Sequence, residues 1–140
     1  MDWNALECDG RIEHMGILQT AKPVAIICTS DRPRATKFYR DALGLTLTSE
    51  DPYAAIFDVA GIPLRVSTVP DFKPHEHNVL GFKVPDVTAT VRALRNNGVS
   101  FNIYEGFNQD DLGIMTPPGT TLQVAWFNDP DGNVLSITNA

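Results

Sequence analysis

Phe38-Tyr39-Arg40-Asp41-Ala42-Leu43-Gly44-Leu45 is the stretch on which the fold turns. With Ala35 before it, Phe38, Tyr39, Ala42 and Leu43 recur at three- and four-residue steps, which predicts an amphipathic helix. Ser30 or Asp31 stands where an N-cap belongs, and Gly44 stands where a left-handed terminus favours glycine. Upstream, Pro23-Val24-Ala25-Ile26-Ile27-Cys28-Thr29 is a β-branched run closed by Ser30-Asp31 and reads as a strand. Downstream, Leu45–Ser49, Tyr53–Val59 and Ile62–Val69 read as three more strands. Ala60-Gly61 forms the tight turn between the last two. A βαβββ unit therefore occupies residues 22–69.

The same order then recurs. Asn78–Val84 reads as a strand, and Pro85-Asp86 opens a helix carrying Val87, Val91, Leu94 and Arg95, which Gly98 ends. Ser100–Tyr104 is strand-like, Glu105–Asp111 is a polar loop, and Gly113–Thr116 reads as a short strand or a loop. Leu122–Phe127 and Val134–Thr138 follow, joined by Asp129-Pro130-Asp131-Gly132. The offsets support a repeat: Val24 to Val79 and Asp31 to Asp86 are both 55 residues, and Gly44 to Gly98 is 54. Gly61 to Gly132 and Arg65 to Ser136 are both 71, so the second copy carries an insertion covering the Glu105–Pro118 region. One helix and four strands cannot close a core alone, so the copies must pair. The expected class is α+β: two βαβββ modules forming a curved, mixed, eight-stranded sheet around a concave cleft, with helices on the outer face. Residues 22–140 form one domain, with modules at 22–69 and 78–140 and a polar linker at 70–77. Residues 1–21 read as an N-terminal arm or a leader.

Composition narrows the partners. The chain has 140 residues, about one domain. Seventeen acids against eleven bases leave a net charge of −6, which argues against a nucleic-acid partner. No apolar run is long enough to span a membrane. Residues 1–21 hold Asp2, Glu7, Asp9, Arg11 and Glu13 and lack the apolar stretch of a signal peptide. Cys8 and Cys28 form no disulfide framework, which suits a reducing cytoplasm.

Four pieces of text carry a family resemblance. They are Thr29-Ser30-Asp31, the Phe38–Leu45 stretch, Gly81-Phe82-Lys83-Val84-Pro85-Asp86, and Trp126-Phe127-Asn128-Asp129-Pro130-Asp131-Gly132-Asn133. Correctly spaced inside a repeat, they make residues 23–138 resemble the vicinal oxygen chelate superfamily. That superfamily includes glyoxalase I, extradiol dioxygenases, fosfomycin-modifying enzymes and bleomycin-resistance proteins. Gln109-Asp110-Asp111-Leu112-Gly113-Ile114 with Trp126 is similar to a bacterial glyoxalase-like branch that is not tied to one reaction. The resemblance implies a homodimer. It also implies four cleft-facing metal positions, which fall here on Val24, Arg65, Val79 and Ser136. Valine has no donor atom and a guanidinium is a permanent cation, whereas first-row metals want imidazole, carboxylate or thiolate. No metal and no other cofactor is therefore expected.

Other residues are weighed on their own chemistry. Leu64 and Val66 alternate with Arg65, so Arg65 is expected to enter the concavity. There it would meet an anionic ligand oxygen or an acid such as Asp110, Asp111 or Asp58. Cys28 shares parity with Val24 and Ile26 and is read as cleft-facing but chemically inert. Lys83 offers a second positive group. Phe57 and Trp126, with Tyr53, Tyr104, Phe107 and Met115, are candidates for an aromatic, adaptable wall. Ser136 would add a polar anchor, and Asp110 sits on a loop that could serve as a lid between Gly106 and Gly113. His75-Glu76-His77 is the one metal-flavoured cluster, and it reads as solvated linker. The DPDG text reads as a turn whose carboxylates bond their own backbone.

The leading expectation is thus a protein binding a small anionic or aromatic molecule without metal, with Arg65, Trp126, Ser136, Phe57, Cys28, Lys83 and Asp110 as ligand contacts. A second reading is a glyoxalase-like lyase or isomerase, or a dioxygenase, with a displaced or absent metal and a base among Asp110, Asp111 or Glu105. A third is an interaction or regulatory subunit that uses the fold as a scaffold.

Overall fold

A computed structural model describes residues 16–140. Its elements are β1 (Ala25–Thr29), α1 (Arg32–Lys37), β2 (Thr46–Glu50), β3 (Ala54–Val59), β4 (Ile62–Thr68), β5 (Asn78–Lys83), α2 (Val87–Asn96), β6 (Val124–Asn128) and β7 (Val134–Thr138). The duplication is plain in the pairing. One sheet runs β1-β4-β3-β2 and the other β5-β7-β6, each with a parallel pair, β1–β4 or β5–β7, and antiparallel pairs beyond it.

Local chemistry sets the helices. Asp31 caps α1, its carboxylate accepting from the Arg34 N–H, and Asp86 caps α2 by accepting from the Ala89 N–H. After α1 the chain widens into a π-helical turn, Phe38–Ala42, so the expected single helix is two pieces. Ala60 and Gly61 both have positive φ, the hairpin geometry expected between β3 and β4.

Alternation sorts the two faces of each sheet. Ile27, Phe57, Leu64 and Val66 of the first sheet and Ala125, Phe127, Leu135 and Ile137 of the second turn to the helices. There they join Ala35, Tyr39, Val87, Val91 and Leu94 in a single buried cluster. The two modules thus share one core. On the opposite sheet face Ile26 of β1 and Asn78 and Gly81 of β5 are exposed, whereas Val134 and Ser136 of β7 stay buried.

Seven strands form among the described residues, not eight. Ser100–Tyr104 makes one bridge, Phe101 to Phe127, and the Asn102 N–H bonds the Trp126 carbonyl. Beyond that, a side chain replaces a strand partner: Gln109 Oε1 accepts from the Tyr104 N–H, and Gln109 Nε2 donates to the Asn102 carbonyl. The insertion in the second copy thus supplies the groups that a ladder would otherwise supply.

Candidate functional site

On the first module's open face, Arg65 lies between Ile26 of β1 and Ile56 of β3, as its parity predicts. Its partner is Asp51, with Nη2 donating to Oδ2 at 2.8 Å, and not Asp110, Asp111 or Asp58. Asp51 belongs to the β2–β3 turn, where its other oxygen accepts from the Tyr53 and Ala54 N–H groups. The Arg65 hydrogen bond first, then those backbone bonds, hold the Asp51 carboxyl below the usual carboxylate range. Cys28 is half-buried on this face beside Ser67. Two expectations need correction here. Phe57 is fully buried against the helices, because β3 places Ile56 on the open face. Lys83 is exposed at the end of β5 opposite Thr138 and lines neither of the two cavities that Glu76 and Tyr104 border.

The second module carries the better-formed site. Trp126, Ser136 and Gly81 align across β6, β7 and β5. Between Asn78 and Leu80 the register slips by one residue, leaving Val79 extra. The bulge puts Asn78 in phase with Ser136, and its Nδ2 donates to Ser136 Oγ at 2.9 Å. Simple alternation selects Val79 and therefore misses Asn78. Gly81 lies close beneath this pair: a Cβ there would sit 3.0 Å from Ser136 Oγ, and the hydroxyl would have to give way.

Three rings form the wall of this site. Tyr104, Phe107 and Trp126 meet pairwise at centroid separations of 5.5 to 5.6 Å; Trp126 meets both other rings edge-to-face, as aromatic quadrupoles favour, and Tyr104 and Phe107 are tilted by 51°. They enclose a cavity of about 200 Å³ together with Glu76, Asn78 and Val134. Glu76, Tyr104 and Val134 also border a wider outer cavity of about 710 Å³, which Asn102, Asn128 and His75 help to line. Arg65 and Cys28 line neither.

The loop behind the wall is clamped. Gln109 bonds Tyr104, Asn102 and, through Nε2, the Gly113 carbonyl at 2.8 Å. Asp110 is committed to the same turn: its Oδ1 accepts from the Leu112 and Ile114 N–H groups at 2.9 Å. The expected lid with a ligand-facing Asp110 is instead a pinned segment that fixes the aromatic wall. Glycine is required at its end, where Gly113 has φ +87 close to Phe101.

The four positions that would hold a family metal do not fit one. Val24 and Val79 offer no donor, Arg65 is a cation already paired with Asp51, and Ser136 Oγ accepts from Asn78. His75 and His77 stack on one another at 5.2 Å. Among the described residues no three His, Cys, Asp or Glu side chains converge as a metal would need.

The Asp129–Asn133 turn does more than bond itself. Asp129 accepts from its own turn at the Asp131 and Asn133 N–H groups, and also from the buried Tyr39 hydroxyl at 2.6 Å. Burial first, then the Asp129 charge and hydrogen bond, push the Tyr39 phenol far above its ordinary value. Asp131 reaches the first module, accepting from Thr29, Ser30 and Arg34. Burial works to raise its pKa, but these hydrogen bonds and the Arg34 charge win and leave the carboxyl below its ordinary range. Asn133 Nδ2 adds a bond to the Cys28 carbonyl. Parity arguments cannot see this junction, because its partners lie about a hundred residues apart.

Comparison with known proteins agrees with this architecture. The family model described as Glyoxalase/Bleomycin resistance protein/Dioxygenase superfamily matches residues 11–137. Among solved structures, UcmS2 is similar over 86% of this chain and 98% of its own, at 19% identity and a TM-score of 0.66. A glyoxalase/bleomycin resistance protein/dioxygenase from Alicyclobacillus acidocaldarius is similar over 85% of this chain and 90% of its own, at 17% identity and a TM-score of 0.65. The genomically encoded fosfomycin resistance protein FosX from Listeria monocytogenes covers 85% of this chain and 92% of its own, at 11% identity and a TM-score of 0.65. At such identities the likeness is one of fold. No curated protein is significantly similar to the chain.

Proposed function

The chain belongs to the Glyoxalase/Bleomycin resistance protein/Dioxygenase superfamily, and from that premise we propose that it binds a small aromatic molecule in the second module's cleft without a divalent metal. The observation that carries this reading is the aromatic wall. Three rings are held open against Asn78 and Val134, and Phe107 stays 45% exposed although it is large and apolar. An apolar pocket with a few fixed polar groups is the usual form of a small-molecule site. The donor set at Val24, Arg65, Val79 and Ser136 supports the metal-free part. Of the residues expected from the sequence, the proposal keeps Trp126, Tyr104 and Phe107, adds Asn78 and leaves out Arg65.

The proposal takes the protein to be cytoplasmic and homodimeric. No described helix is long and apolar enough to cross a membrane. Ile26, on the edge strand β1, is 62% exposed, with Val24 also exposed on the same face, an apolar strip that a second copy would cover.

The test is a titration with benzamide, a neutral planar probe, followed through the Trp126 indole and Asn78 side-chain amide signals by NMR. We expect both to shift in the wild type, with the Asn78 response lost in Trp126→Ala. Shifts confined to residues outside this cleft, or chelator-sensitive turnover of a hemithioacetal, would replace binding with another reading.

A further inference from the structure

We infer that the cleft selects for positive charge: its ligand is a flat aromatic bearing a hydrogen-bond-donating cationic nitrogen group, and Glu76 is the counter-ion. The inference rests on the cleft reading above and adds the charge class of the ligand.

The first observation is the charge of the lining. Glu76 borders both the inner and the outer cavity, and among the described residues no Lys or Arg lines either one. The arginine expected to recognise an anion is elsewhere, paired with Asp51. An anionic ligand would meet an uncompensated carboxylate at the cavity mouth and find no guanidinium or ammonium to offset it.

The second is the hydrogen-bond ledger. Each amide nitrogen at the site makes a bond within the protein: Asn102 Nδ2 bonds both Tyr104 and Asn128, Asn78 Nδ2 gives one N–H to Ser136, and Asn128 Nδ2 gives one to the Gly132 carbonyl. Oδ1 of Asn78 and of Asn102 accepts no hydrogen bond among the described residues. These two oxygens and the Glu76 carboxylate are open acceptors at the cleft, which a donating ligand satisfies and an acceptor-only anion leaves unpaired.

The third is the wall itself. The faces of Trp126 and Tyr104 carry negative quadrupole potential, so a ring with a delocalised cation gains from stacking there while its N–H groups reach the carboxylate. Wall, acceptors and carboxylate thus favour the same ligand charge.

Benzamidinium, benzamide and benzoate test this directly, since they share a ring and a planar substituent and differ in charge. Titrated at one pH and followed at the Trp126 indole signal, they should bind in the order benzamidinium, benzamide, benzoate. Glu76→Gln, at an exposed linker position where folding is not at risk, should weaken benzamidinium roughly threefold to fivefold, leave benzamide unchanged and strengthen benzoate. Raised salt should weaken benzamidinium in the wild type and not in the variant. Benzoate binding as tightly as benzamidinium at Trp126, or an unchanged benzamidinium affinity in Glu76→Gln, would overturn the charge selection while leaving the cleft in place. If none of the three probes moves Trp126, the cleft reading falls and this inference falls with it.

Discussion

Asp131 shows how one side chain joins the two halves. Its side chain is 2% exposed, and it gathers Thr29, Ser30 and Arg34 of the first module. Its folded pKa lies below the unfolded value, so it contributes stability above the unfolded carboxylate range, and this is lost as pH falls through the folded value. Asp131→Asn should therefore cost roughly 1–3 kcal/mol near neutral pH, and the cost should shrink in acid, read from urea midpoints between pH 7 and pH 3. Arg65 is the opposite case. Its pairing with Asp51 is about a third exposed at each end, so Arg65→Met should change stability by less than about 1 kcal/mol and leave benzamide binding intact. Parity alone correctly put Arg65 on the open face. Its partner was not legible, because turn geometry and not strand alternation brings Asp51 to it.

At the level of elements, caps and turns were the most legible features. Asp31, Asp86 and Ala60-Gly61 act locally, within a few residues, so spacing alone identifies them. The π-helical turn, the bulge at Asn78 and the missing strand at Ser100–Tyr104 were not legible, since each depends on contacts that alternation does not encode. Gln109 explains the last of these and gives a prediction. Gln109→Ala removes bonds to the Tyr104 amide and to the Asn102 and Gly113 carbonyls. Hydrogen exchange at Tyr104 should accelerate and benzamide affinity should fall several-fold, while the β6–β7 amides keep their protection. A uniform rise in exchange across the domain would instead mean that Gln109 supports the whole fold. Gly81→Ala should disturb the Asn78–Ser136 bond and shift the Asn78 side-chain signals, because the added Cβ lies 3.0 Å from Ser136 Oγ.

Across the whole molecule, duplication supplies the scaffold and divergence supplies the site. The repeat offsets were enough to read two βαβββ modules, because one module cannot bury its own apolar face and the pairing is forced. The shared core and the helices on one side of both sheets follow from that. The site was less legible because the modules are unequal. The first presents Arg65, Ile26 and Cys28 on an open sheet, whereas the second, through its insertion, builds an aromatic wall against Asn78. Resemblance pointed to four equivalent positions, but the cleft centres on Trp126, Tyr104 and Phe107, three residues supplied by the second copy alone. The central claim, a small-molecule cleft that works without metal, is tested most directly by native mass spectrometry of the protein isolated without chelator and loaded with benzamide. The adduct should survive treatment with EDTA, with no divalent ion bound at one per chain. A stoichiometric metal ion, with the adduct lost when the ion is removed, would contradict the account.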